Sequence, residues 1–188
     1  MVRLQRISIF LLLILFQQGC VQNVAYKPGN IPDDWVENHS ENGRISLATP
    51  FPLKPIQLNL EISGIKATES YYGTVLTGFT VGLIVYRSNT KINDQLLDVI
   101  GFDYLIVQKK NTMYSELQQK KKKIEIGGLK GFQVDSTFTA FNASRASRVI
   151  ILADGNYFYQ IHINYSKSSK FDTSARDKII SSIKIRDI

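Results

Sequence analysis

Cysteine is almost missing from this chain: Cys20 is the only one in 188 residues. Beyond it no thiol remains for a disulfide, a metal–thiolate site or cysteine catalysis, so any folded part holds by packing alone. Histidine is nearly as scarce, with His39 and His162 the only two. That scarcity, with no thiol beyond Cys20, nearly excludes zinc sites and Ser-His-Asp triads. No phosphate-cradling glycine loop, His-x-Glu metal spacing or Gly-x-Ser-x-Gly elbow occurs. A long apolar run is absent too. The longest, Ile7-Ser-Ile-Phe-Leu-Leu-Leu-Ile-Leu-Phe16, is about half of the ~20 residues a membrane-spanning helix needs.

What that short run does supply is the middle of an export signal. Arg3 and Arg6 precede it as a positive n-region, and Gln17-Gln18-Gly19-Cys20 follows at once. A small residue before a cysteine at the end of such a run resembles the bacterial lipoprotein signal. The resemblance implies diacylglycerol on the Cys20 thiol and cleavage that leaves Cys20 as the first residue. Gln17 and Gln18 stand where such signals usually carry leucine and a small residue. The alternative is an ordinary secretory signal with an incidental cysteine. Val21 follows the cysteine rather than the aspartate associated with inner-membrane retention. An outer-membrane address on the periplasmic side of the bacterial envelope is therefore expected.

The expected organisation is a signal over 1–19, a lipidated Cys20 with a flexible tether over 20–42, and one α+β domain over 43–188. The 168 residues after Cys20 suit one domain. Pro28, Gly29, Asn30, Pro32 and the polar stretch from Glu37 to Asn42 carry neither hydrophobic period; Trp35 is the exception and a possible dock on the domain. The formal charge of +7 becomes +5 without Arg3 and Arg6. A charge of that size suits an anionic lipid or polymer neighbour, and is equally an ordinary solubility value.

From Gly43 the pattern turns strand-like. Arg44-Ile-Ser-Leu-Ala alternates until Pro50, and Pro52 and Pro55 mark a loop. Ile56, Leu58, Leu60 and Ile62 then alternate with polar residues, which predicts a strand. Lys66 to Tyr72 and Leu76 to Tyr86 predict further strands, with Phe79, Val81, Leu83 and Val85 on one face. Leu96, Leu97, Ile100 and Tyr104 give a helical stripe that Asn93 or Asp94 would cap. Strands are expected over Gly131 to Ala140, Ser147 to Ala153 and Tyr157 to Tyr165, the last two joined by an Asp154-Gly155 hairpin turn. A closing helix capped by Asp172 or Thr173 would bury Ala175, Ile179, Ile180 and Ile183. Runs of antiparallel strands with two helices mean an α+β fold.

The order of Gly43-Arg-Ile-Ser-Leu-Ala-Thr-Pro-Phe-Pro, Gly128-Leu-Lys-Gly-Phe-Gln-Val, Arg148-Val-Ile-Ile-Leu, Asp154-Gly-Asn-Tyr-Phe-Tyr-Gln-Ile and a helix ending Ser181-Ser-Ile183 resembles the PsbP-like fold. That superfamily includes the extrinsic photosystem II protein, the Ran-release factor of yeast and many exported bacterial proteins. The resemblance spans about 43–185 and implies a central antiparallel sheet with helices packed on its faces. It also implies a protein that binds or assembles other proteins. Its motifs are structural and carry over no functional residue.

Three functions compete. The first is a non-enzymatic, membrane-anchored module that meets an envelope protein or an anionic polymer. Lys120, Lys121, Lys122 and Lys123 are its candidate contact, set against the blander reading of that run as a solvated loop. Nucleic acid is not an expected partner, since the run lacks interleaved aromatics. The second is a hydrolase or transferase. If Gln160, His162 and Asn164 share a polar face with Gln133, Asp135 and Thr137, then His162 and Asp135 could meet as an oriented imidazole; a solvated sheet face is the competing reading. The third is a small-ligand carrier whose pocket is lined by Tyr71, Tyr72, Phe79 and Tyr86. No metal and no cofactor is expected in any of the three. The Asn-x-Ser triplets at Asn38, Asn142 and Asn164 are incidental in a bacterial lipoprotein.

Overall fold

A computed structural model describes residues 35–75 and 78–187. Cys20, the export signal and most of the expected tether lie outside them. The architecture is α+β. Strands β3 (Lys54–Pro55), β5 (Ile65–Thr74), β6 (Thr80–Arg87), β7 (Ser115–Ile126), β8 (Leu129–Ala140), β9 (Ala143–Asp154) and β10 (Tyr157–Tyr165) form one antiparallel sheet in the order β3-β5-β6-β10-β9-β8-β7. The two-residue strand β4 (Glu61–Ile62) pairs with β5 beside this path. A smaller sheet holds β1 (Val36–His39), β2 (Ile45–Thr49) and β11 (Lys184–Ile185).

Both faces of the large sheet are covered, because strand residues of both parities are apolar. Val81, Leu83, Val85, Ile161 and Ile163 pack with Ile45 and Leu47 of the small sheet and with Ala175 and Ile179 of helix α2 (Lys170–Ser181). On the opposite face Ile84, Tyr86, Val134, Val149 and Ile151 pack with Leu97, Ile100 and Tyr104 of helix α1 (Asp94–Lys109). The expected stripe of α1 is thus its buried side, and Asn93 caps it by accepting from the Leu96 N–H at 2.8 Å. Helix α2 starts earlier than its expected caps. Ser169 is the N-cap, accepting from the Asp172 N–H, and the Asp172 carboxylate instead folds back to the Ser166 N–H and the Ser169 hydroxyl.

Three stretches depart from the sequence reading. Val36–His39, expected in the tether, pairs with β2. Its polar residues are bound by side chains that period alone does not reveal: Asn38 bonds Thr49 Oγ1 and the Leu53 N–H, and Ser46 donates to Glu37. Trp35 meets Lys178 of α2, whose Nζ lies 4.2 Å from the ring centre. The domain therefore includes residues from Trp35 onward. Residues 56–60 alternate in exposure yet form no strand; two backbone hydrogen bonds tie them to β5, from the Ile56 N–H to Ser70 O and from the Ala67 N–H to Leu60 O. The lysine run, expected as a loop at its blandest, lies inside the twelve-residue strand β7.

Candidate functional site

The expected polar face does not exist as one surface. Asp135 opposes Arg148 of β9, which opposes Ile163 of β10 and then Val81, so all four project toward α2. His162 opposes Val149 and then Val134, and on its other side Gly82, so it projects toward α1. The pairing of His162 with Asp135 is overturned: they stand on opposite faces with β9 between them. Each alternation was correct, but period two does not say which face of the sheet a polar set takes.

Their surroundings differ accordingly. Asp135 accepts from Arg148 Nε at 2.5 Å and from Gln133 Nε2 at 2.7 Å, and Arg148 Nη1 reaches Asp177 of α2 at 3.8 Å. His162 bonds Asn164 Oδ1 at 3.1 Å. Desolvation pulls its pKa down to about 4 against the smaller opposing effect of Asn164, so the ring is neutral at pH 7. The solvated face expected around His162 is thus a partly dehydrated seam beneath α1.

That seam is polar and the sequence did not announce it. Ser136, Ser147, Asn164 and Thr80 form one cross-strand row. Above it Gln108 of α1 accepts from Ser136 Oγ at 3.1 Å and from Gln119 Nε2 at 3.2 Å, and donates to the Tyr104 hydroxyl. Burial pushes the Tyr72, Tyr86 and Tyr104 hydroxyls far above their usual range, and neighbouring tyrosines add to it. Ser147 Oγ and Gln119 Oε1 are buried without a hydrogen-bond partner among the described residues. The four aromatics expected to line one ligand pocket are split. Tyr71 and Phe79 pack on the α2 side, Tyr72 and Tyr86 on the α1 side.

The lysine run is divided by the same parity. Lys121 and Lys123 oppose Val134 and Phe132 and turn to α1. Lys121 Nζ lies 4.5 Å from the Phe132 ring centre, and Lys123 pairs with Asp98 at 3.6 Å. Lys120 and Lys122 oppose Asp135 and Gln133 and turn to the other face. All four are exposed on β7, an end strand of the large sheet, where lysine blocks edge-to-edge association.

An open groove of about 430 Å³ lies where residues 56–60 arch away from β5. Glu69 stands in it, accepting from the Glu41 N–H at 2.7 Å and from the Tyr71 hydroxyl at 3.3 Å. Burial raises its pKa, and the Glu41 charge adds to the rise against those two donors. Three prolines at 50, 52 and 55 were the one sequence sign that this edge would not be a regular strand. Among the described residues no group of three or more His, Cys, Asp or Glu is placed to hold a metal, and no helix is long and apolar enough to cross a membrane.

No family model and no curated protein matches the chain. Solved structures do. The cyanobacterial PsbP protein of Synechocystis is 9% identical, with 87% of this chain and 99% of that one covered at a TM-score of 0.59. LpqN of Mycobacterium tuberculosis is 13% identical, with 82% and 91% covered at 0.50. A Bacteroides thetaiotaomicron protein is 14% identical at 0.46, and this chain, covered over 80%, spans about half of it, 48%. The chain thus has a PsbP-like fold, as its motifs implied.

Proposed function

We propose that this protein is a non-enzymatic interaction module, held at a bacterial envelope membrane by a lipid on Cys20. The separation of His162 from Asp135 carries the reading. A general base needs an oriented partner and a reacting group beside it, whereas among the described residues the side chain bonded to His162 is Asn164. LpqN, of similar fold, is described as involved in cell envelope biogenesis, which agrees with an envelope address; Val21 favours the periplasmic side of an outer membrane. Two surfaces suit partners. Lys120 and Lys122, on one side of β7, offer charge to an anionic polymer or an acidic protein. The groove beside β5 offers strand edge to an extended segment, with the Glu69 carboxylate at hand for a basic side chain.

Cell fractionation tests the anchor. Cys20→Ala should move the protein from the membrane to the soluble fraction, and the wild-type mass should exceed the chain from Cys20 by its acyl groups. An unmodified wild-type mass sinks the lipid anchor. A His162→Ala protein that stays folded and membrane-bound yet copies a null mutant sinks the non-enzymatic reading.

A further inference from the structure

We infer that the end of the large sheet carrying Phe141 is a second, direct membrane contact, docking on anionic lipid. Phe141 and Asn142 are the central residues of the two-residue turn between β8 and β9, with Ala140 opposite Ala143. Both have positive φ, 51° and 59°. The turns at Ser63-Gly64 and Gly127-Gly128 also need positive φ twice, and both contain glycine. Here a bulky aromatic occupies the left-handed region, the least favoured choice for such a turn. Burial does not repay it, because Phe141 is 64% exposed, the most exposed large apolar side chain among the described residues. Folding alone leaves this side chain unexplained.

The charge around the tip points to its occupant. Helix α1 ends at this same end of the sheet: Tyr114 just beyond it stacks on Phe138 at 4.1 Å, and Ser115 pairs with Thr139. Strand β10 also finishes here, with Tyr165 opposite Ala146, and α2 begins here. The end thus gathers Lys109, Lys110, Lys167 and Lys170, all exposed. No carboxylate among the described residues pairs with any of them. The segments 110–114, 141–142 and 166–169 contain no acidic residue; the exposed Glu116 stands at this end too, accepting from Thr139 Oγ1 at 2.9 Å. Lys170 opens α2, where a cation opposes the helix dipole, so helix stability does not account for it. Val107, 51% exposed near the end of α1, adds apolar surface. Four exposed lysines against the one exposed carboxylate of Glu116, at the end that carries an exposed aromatic, match a bilayer with anionic head groups: the ring enters the interface and the ammonium groups meet phosphates.

The path of the chain agrees. β1 leads away from this end, since Val36 opposes Thr49 while His39 opposes Ser46 nearer the Arg44–Asp154 contact. Trp35, the first described residue, thus precedes the end of β1 that lies away from Asp154. Fourteen residues lie between Cys20 and Trp35, a span of at most about 50 Å. The inference uses the proposed anchor only to bring the tip near lipid.

The test uses the full chain reconstituted in vesicles by its own N-terminus. In a Trp35→Phe background, which removes the only tryptophan, Phe141→Trp places an indole at the tip and Asn156→Trp one at the opposite end. In vesicles of phosphatidylglycerol with acyl-brominated lipid, emission from position 141 should shift to the blue and be quenched, and that from position 156 should not. Neutral phosphatidylcholine vesicles should abolish the difference. Replacing Lys109, Lys110, Lys167 and Lys170 by glutamine should weaken the contact about fivefold for each lysine near the surface. Equal quenching at both positions, no quenching at 141, or a blue shift at 141 without quenching, as a protein partner would give, overturns the inference. An unmodified Cys20 in the intact mass with position 141 still quenched would sink the lipid anchor and leave this contact standing.

Discussion

Gly101 of α1 lies against the ring of Phe132 on β8: a Cβ there would come within 2.8 Å of Cδ2. The glycine that weakens the middle of the helix is what lets it sit down on the sheet. Alanine would gain helix propensity of about 1 kcal/mol but would overpack a contact whose ring is 2% exposed. Overpacking costs about 1–3 kcal/mol. Gly101→Ala should therefore lower the melting temperature, whereas alanine at an exposed helical glycine would raise it. Thermal unfolding by circular dichroism decides between these signs.

His162 should give the domain an acid-sensitive step. Its folded pKa, about 4, lies below the ordinary histidine value of 6.5. Between these values the unfolded state binds more protons, so stability rises with pH across the window and is lost as pH falls from 6.5 to 4. His162 is only partly buried, which makes the full linkage an upper bound of about 3 kcal/mol. Urea unfolding at pH 7.0 and 4.5 should show a smaller acid loss in His162→Gln than in the wild type. Equal losses would place the ring in water.

Removing β1 should matter. Asn42 donates to the Tyr159 hydroxyl at 2.9 Å, and Asn38 ties Thr49 and Leu53 together. A chain beginning at Gly43 loses these bonds, the β1–β2 ladder and the Trp35 contact with Lys178. It should melt several degrees below one beginning at Trp35, at about 2–4 °C per kcal/mol for a domain of this size. Matching melting curves would return residues 35–42 to the tether.

The four lysines of β7 should separate by parity. Lys121→Glu removes a cation from the Phe132 ring face, worth about 0.5–1 kcal/mol at an exposed site, and should lower stability by that order. Lys120→Glu and Lys122→Glu should stay within about 0.5 kcal/mol of the wild type. Those two are the better probes of an anionic partner, since lost binding would not be confused with lost folding. A pull-down from membranes in which only Lys121→Glu and Lys123→Glu reduce capture would place the contact on the α1 side instead.

Local chemistry made much of this protein legible in its sequence. β10 covers Tyr157–Tyr165 as its alternation predicts, the stripe of α1 is its buried side, and the last hairpin turns where expected, though at Gly155-Asn156, one residue after the expected Asp154-Gly155. These follow from periods of 2 and 3.6 and from turn residues, which act within a few positions of the chain. Tertiary structure alone decided which polar sets share a face. Alternation orders side chains along one strand, but the side of the sheet they take depends on the partner's register, here the opposition of Arg148 to both Asp135 and Ile163. It also decided that both faces would be covered, which turned an expected solvated surface around His162 into a partly dehydrated seam. And it decided that polar Val36–His39 would be a strand while the cleanly alternating 56–60 would not. A strand exists only where a neighbour's backbone answers its N–H and C=O groups, and no short stretch of sequence carries that information.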